Sequence, residues 1–463
     1  RLSGVVFSTP VIFSVLFCHP DDEIRALFGN DLDYSEQGRI KQIKRIQKLT
    51  TILDNQGMLV VVAALYSHPE LLEWNKNNFS KYFYQGADSE SFFHHTQMSQ
   101  LGALFTSSMS IDAFDMHDGH VLTKGHVGVS VVPAALLIHS DEKLSGKDVL
   151  TNIVIAYEIS VRAGIALHNS TEDYHTSGAW NSLGVCAIAC RVLKLNKEQT
   201  KHALGICEFY SPRSQMMKII DTPSMLKDGS GFGSFVGLKA ALLSKAGFTG
   251  APSLVLYSDD TKDYWKNLGV TFEILNQYFK PYPVCRWAQP AIEAANYLNE
   301  THDFNIDDIH KVTVESFHES TRLNNNIPTN TEEAQYALKY PVVLSLAKVD
   351  LTQKIVTEDF DLDKDLLSLF NKTHITENDS YNNYFPKKRF SNICIEMNNG
   401  DIFKSGDKEA TWGENDTPSY DEIKDKFYNL NKKIYQQHIL EKIESHTFNL
   451  ENLKDITQLR KLI

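Results

Sequence analysis

A chain of 463 residues with 46 Lys+Arg, 58 Asp+Glu and a formal net charge of -12 is long enough for about two to three domains and a core that closes without disulfides or metals. The acidic balance excludes non-specific binding to nucleic acid or to an anionic membrane, since both need a basic face; an anionic substrate must be met by a local basic pocket. The six cysteines (18, 186, 190, 207, 285 and 394) include no CxxC pair, which predicts a reduced, cytoplasmic protein without an iron–sulfur cluster.

In chain order, RLSGVVFSTPVIFSVLFCHP loosely imitates a signal peptide. Pro10 breaks its apolar run, it is too short to span a bilayer, and no small-x-small cleavage site follows. Residues 1–24 are therefore set aside as an extension, and no other run is expected to approach transmembrane length. Apolar residues at helical spacing predict core helices over 38–65, 150–167 and 178–195, with Cys186 and Cys190 as small packing residues in the last. Asn196 followed by Gln199 predicts a capping box at the start of the next helix. The texture changes near Tyr282. KVTVESF alternates with the period of a strand, TNTEEAQYALKYPVVLSLAKV predicts a helix bent at Pro341, and RFSNICIEMNNGDIFKS predicts two strands turning at Asn399-Gly400. From Ser419 the helical period returns, with Ile423, Phe427, Leu430 and Ile434 on one face. These elements predict a mainly α protein with a second α+β domain: a helical domain from residues 25–278 and 410–463, interrupted by a smaller α+β domain over 279–409.

The densest chemistry lies in AFDMHDGHVLTKGHVG, residues 113–128, which holds Asp115, His117, Asp118, His120, Lys124 and His126. Histidine and aspartate suit zinc or iron, but the spacing matches no known metal motif and no HExxH follows, so no metal is assigned. A solvated polar loop is the plain alternative. Acid–base work suits the residue types best, because imidazole and carboxylate exchange protons near neutral pH. His175, ahead of a small-residue helix start, reads equally as a capping residue or a catalyst. Gly229, Gly233 and Gly237 form no dinucleotide fingerprint, since no strand precedes them; their four-residue spacing suits close helix packing, and Lys227 at the helix mouth is a candidate anion contact. Lys280 and Arg286, on the proline-stiffened segment KPYPVCRWAQP, suit gripping carboxylates, with a solvated basic turn as the alternative. Tyr340, beside Pro341, reads as half-buried packing.

Several segments, in order, resemble the MmgE/PrpD family, which includes 2-methylcitrate dehydratase, cis-aconitate decarboxylase and iminodisuccinate epimerase. They are ILDNQGMLVVVAAL, SIDAFDMHDGH with KGHVGVSVVPAALL, HTSGAWNSLGVCAIACRVLKL, KDGSGFGSFVGLKAALLSKAGFTGAP, YFKPYPVCRWAQPAIEAA, EEAQYALKYPVVLSLAKV and TPSYDEIKDKF. The resemblance runs from about Leu32 to about Tyr435. It implies a large all-helical domain made from both chain ends, a smaller α+β lid, and a homodimer working without metal or organic cofactor.

The resemblance also implies residue roles. Asp115 falls on the aspartate of the family's A-L-D-F-D-D segment, whose second aspartate position is His117 here. His126 falls on the histidine of its H-P-G segment, His175 on the histidine opening the small-residue helix, Lys280 on the lysine of K-x-Y-P, and Tyr340 on the aromatic of A-x-x-x-L-x-Y. The chain departs from K-P-L-H-x-G, placing Ser224 at the lysine position and Lys227 at the histidine position, and it replaces a Thr-bearing pair with Gly119-His120. The implied chemistry is loss of water from a branched polycarboxylate such as 2-methylcitrate. Asp115, His126 and His175 supply acid and base, with Tyr340 a further donor, while Lys227, Lys280 and Arg286 hold carboxylates, assisted by Lys124 and His120. Epimerisation or decarboxylation of a related di- or tricarboxylate is the alternative, and a metal hydrolase or a non-catalytic binding protein stands behind it.

Overall fold

The computed structural model describes residues 89–90, 97–140, 142–433 and 435–463. The expected extension over 1–24 and helix over 38–65 lie outside the described residues. By its internal contacts the chain divides into two compact units. The first takes the described residues up to Gln215 together with 228–277 and 418–463, and the second takes 216–227 and 278–417.

The first unit is helical. Its main elements are α1 (Gln100–Phe114), α2 (Gly128–Leu137), α3 (Gly146–Ser170), α4 (Gly178–Val192), α5 (Lys197–Tyr210) and α6 (Ser230–Lys245), with α10 (Tyr420–Asn431) and α11 (Gln437–Phe448) from the C-terminal stretch. Helix α4 lies between α3 and α6, and small residues permit that approach. A Cβ on Gly233 would meet Gly178 Cα at 2.9 Å, and one on Gly178 would meet the Gly229 carbonyl oxygen at 2.3 Å, so the four-residue glycine spacing is a packing device. Cys186 and Cys190 are buried free thiols on α4. The capping box of Asn196 and Gln199 opens α5. Helix α3, 25 residues long, meets the length and composition for crossing a membrane, contrary to the expectation that no run would, and 89% of its apolar window is buried inside the protein. In α10, Ile423 and Phe427 are buried and Leu430 is half-buried; Ile434 lies outside the described residues.

The second unit carries a four-stranded sheet with β1 (Ile309–Ser316), β2 (Thr373–Glu377), β3 (Ser391–Met397) and β4 (Ile402–Lys404), in the order β2-β1-β3-β4. Strand β1 runs parallel to β2, pairing Val314 with Ile375, and antiparallel to β3, pairing Val314 with Ile393. The β3–β4 hairpin turns through Gly400, whose φ of 93° lies in the left-handed region that glycine adopts without strain. Helices α7 (Gln289–Thr301), α8 (Lys339–Leu346) and α9 (Lys364–Lys372) pack on one another and on the sheet. The helix expected to bend at Pro341 is instead two helices, Thr331–Gln335 and α8, separated at Tyr336 to Leu338. Pro341 is the third residue of α8, inside the first turn, where a missing N–H breaks no intrahelical bond.

Candidate active site

In the first unit Asp115, His117, Asp118, His120 and His126 are buried, although Leu122 between them is exposed, and this burial removes the solvated-loop alternative. Asp115 caps α1 in the left-handed conformation, with φ 54°. This turn sends the following residues back across the helix end. Lys426 of α10 donates from Nζ to the Met116 carbonyl at 2.9 Å, fixing the turn from the other side.

Asp118 organises the centre. Its backbone carbonyl accepts from His126 Nδ1 at 2.6 Å and lies 3.2 Å from His117 Nδ1. A carbonyl oxygen only accepts, so both imidazoles carry a proton on Nδ1 and present Nε2 for chemistry. The two rings meet edge to face at 4.2 Å between centroids. His117 Nε2 lies 4.0 Å from Asp115 Oδ1 and 3.9 Å from Asp112 Oδ1, and His126 Nε2 lies 3.5 Å from Asp228 Oδ2. Asp228 is held by Ser177, whose hydroxyl donates to Oδ1 at 3.0 Å and whose N–H donates to the same oxygen at 3.3 Å. The Ser177 hydroxyl oxygen in turn accepts the His126 N–H at 2.9 Å.

The Asp118 carboxylate sits at the N-terminus of α2, accepting the Gly128 N–H at 3.1 Å, where the helix dipole favours negative charge. Tyr157 donates to its other oxygen at 2.7 Å, and burial with this neighbouring charge pushes the Tyr157 hydroxyl well above its ordinary range, so it stays a donor. Gly128 is required here, because a Cβ would come within 2.6 Å of the Tyr157 hydroxyl.

His120 belongs to a different group. Its Nδ1 accepts the Thr123 N–H at 3.4 Å, so the proton sits on Nε2, which points at Glu273 Oε2 at 3.5 Å. That contact, first among its causes, holds Glu273 down at about 2. Arg162 joins the network, lying 3.3 Å from Glu158 and donating to the Tyr264 and Thr271 carbonyls at 2.8 and 2.9 Å. Burial outweighs Arg162 at Glu158 and pushes that carboxyl up to about 7.

His175 and Lys124 fall in a third group. His175 donates its backbone N–H to His168 Nε2 at 3.3 Å and stacks on that ring at 6.4 Å. Burial, then Lys124, lowers His168 to about 3, while burial and Arg213 lower His175. Lys124, itself left-handed at φ 54°, sets Nζ 4.4 Å from the Tyr174 ring centre.

In the second unit Lys227, Lys280, Arg286 and Tyr340 are all buried. Lys227 donates to Gln335 Oε1 and lies over the Tyr336 ring at 4.9 Å. Burial of Lys280 and Arg286 removes the solvated-turn alternative. Arg286 commits its guanidinium to Gln289 Oε1 at 2.7 Å and to the Phe279 and Ala410 carbonyls at 3.2 Å each, a clasp between chain segments; burial lowers it to about 10. Tyr340 is fully rather than half buried, its hydroxyl 3.5 Å from the Asp359 carbonyl and raised by burial.

Thus Asp115 and His126 come together with His117, whereas His120, His175 and Lys124 are built into neighbouring networks. Asp112, Ser177 and Asp228 were not singled out from the sequence. Asp228 stands between left-handed Lys227 and left-handed Gly229 at a helix mouth.

Two family models match the chain in order: the MmgE/PrpD N-terminal domain over residues 40–261 and the MmgE/PrpD C-terminal domain over 282–450. A cis-aconitate decarboxylase-like protein, oryM, of Aspergillus oryzae is 22% identical over 410 residues, covering 79% of this chain and 82% of its own length. With both domains matched, the chain belongs to the MmgE/PrpD family, whose members are dehydratase- and decarboxylase-like enzymes.

Proposed function

We propose that the protein is a lyase that eliminates water from a branched polycarboxylate such as 2-methylcitrate, using Asp115 and His126 as its acid–base pair. The observation that carries this reading is the fixed tautomer of His126. With Nδ1–H committed to the Asp118 carbonyl at 2.6 Å, Nε2 is the nitrogen left to move a proton, and Asp228 stands 3.5 Å away to hold that proton. Asp115 takes the proton α to a carboxylate, the electron pair forms the C=C bond, and His126 delivers its Nε2 proton to the departing hydroxyl, which leaves as water. The carbanion-like state between these events needs cationic or hydrogen-bond donors. By family resemblance that role goes to Lys227 and Lys280, with Tyr340 a further donor.

Decarboxylation is the second reading, favoured by the name of the Aspergillus oryzae relative. A panel of di- and tricarboxylates followed by proton NMR separates the two. A new alkene at constant carbon count marks dehydration, release of carbon dioxide marks decarboxylation, and exchange of a substrate proton in deuterated water without net product marks epimerisation. His126→Ala and Lys280→Ala are expected to abolish most turnover while leaving the protein folded. Near-wild-type turnover in both variants overturns the assignment.

A further inference from the structure

We infer that Asp115, His117 and His126 form a binding site for a divalent transition-metal ion, with Zn2+ matching the donor set, and that occupancy of this site blocks proton transfer by His126. The second half rests on the acid–base reading above; the first half does not. One ligand atom from each of the three residues lies within 4.8 Å of the others, and all three residues are buried. Two imidazole nitrogens and a carboxylate oxygen are the ligand types zinc takes, at bond lengths of about 2.0–2.2 Å. Ligands on a tetrahedral ion of that size stand about 3.4 Å apart, so the 4.0 Å between His117 Nε2 and Asp115 Oδ1 closes by rotamer-scale movement.

The second observation is the support behind the ligands. Metal-binding histidines characteristically donate their other ring N–H to a carbonyl or carboxylate, which fixes tautomer and ring orientation. Here one carbonyl, that of Asp118, serves both His117 and His126. Asp228 Oδ2, 3.5 Å from His126 Nε2 and braced by Ser177, offers a fourth donor. Asp112 Oδ1 lies 3.9 Å from His117 Nε2, a further carboxylate favouring a cation at this spot. His126 is also a proposed acid. An ion bonded to its Nε2 takes the lone pair that the proton needs, so metal and turnover exclude one another.

The test is a calorimetric titration of the full-length, metal-stripped protein with zinc chloride, repeated on His117→Gln, Asp115→Asn and the exposed-site control His438→Gln. The expected result is one tight equivalent in wild type and in the control, weakened at least a hundredfold in His117→Gln. Equal binding by wild type and His117→Gln, or no tight equivalent in wild type, overturns the site. If His117→Gln fails to fold, as judged by its melting curve, Asp115→Asn carries the same comparison.

Turnover of stripped and zinc-loaded protein reads the second half separately. Activity in the stripped enzyme that one equivalent of zinc suppresses supports both the site and the acid–base reading. Activity that zinc leaves unchanged, or that appears only with zinc, overturns the exclusion. Tight binding with no turnover of any polycarboxylate in either state overturns the reaction and leaves the site standing.

Discussion

Two histidine pairs in the same helical unit have opposite surroundings. His117 and His126 meet at 4.2 Å among Asp112, Asp115 and Asp228, each with its Nδ1 at the Asp118 carbonyl. His168 and His175 stack at 6.4 Å beside Lys124 and Arg213, and burial with those cations lowers both, His168 to about 3. A buried imidazole among carboxylates can hold and release a proton, whereas one buried beside cations stays neutral at physiological pH. Residue type therefore does not decide the role. The charges around the rings separate the two pairs: carboxylates lie near His117 and His126, whereas burial with Lys124 lowers His168 and burial with Arg213 lowers His175.

His126→Gln is expected to lower kcat by about 10²–10⁴-fold with an unchanged melting curve, whereas His168→Gln, which keeps an acceptor for the His175 N–H, is expected to stay within a few-fold of wild type in steady-state kinetics. Asp228→Asn removes the carboxylate facing His126 Nε2 while retaining a group for Ser177 to bond. A drop in kcat of about tenfold, the worth of roughly one charge-assisted hydrogen bond, is expected, with the limb of the pH–rate profile that reports the acid moved to lower pH. A purely structural Asp228 would lower kcat without moving that limb.

The His120 network makes stability depend on pH. Burial holds folded Glu158 at about 7, above its ordinary 4.5, so the folded state binds the proton more tightly than the unfolded chain. That contribution is fully present below about pH 4.5 and is lost as pH rises through 7. The melting temperature of wild type relative to Glu158→Gln is therefore expected to be higher at pH 5 than at pH 8, by an amount worth up to a few kcal/mol. Glu273, held down at about 2, works in the opposite sense, and its contribution is lost only as pH falls from 4.5 toward that value. The smallest effect is a control at a helix cap outside both pairs. Asn196→Ala removes the capping box of α5, is expected to cost about 1 kcal/mol in denaturant unfolding, and leaves kcat untouched.

Much of this was legible in the sequence, for identifiable reasons. The capping box at Asn196, the hairpin at Asn399-Gly400 and the packing glycines of α6 are local rules in which residue type fixes backbone geometry within a few positions. Pro341 was misjudged because a proline signal cannot show whether the residue lies inside a helix or in its first turn, and the break at Tyr336 to Leu338 carries no glycine or proline to mark it. Within the site, Asp115 and His126 stood out because polar residues crowd a short span between apolar runs. Their partners did not. Asp228 lies 102 positions beyond His126, and Ser177 lies 51 beyond it, so only the folded chain brings them together. His120 and His126 look alike in AFDMHDGHVLTKGHVG, yet they carry their protons on opposite nitrogens; that difference comes from the Thr123 N–H and the Asp118 carbonyl, which no spacing rule encodes.

The expectation from this contrast is that protons move at the aspartate-lined pair and not at the cation-lined one. It is tested most directly by following loss of the substrate proton α to a carboxylate by NMR in deuterated water, with wild type, His126→Gln and His168→Gln side by side on 2-methylcitrate. Alkene formation is expected from wild type and His168→Gln and none above background from His126→Gln. Turnover by His126→Gln at the wild-type rate, or its loss in His168→Gln alone, would contradict it.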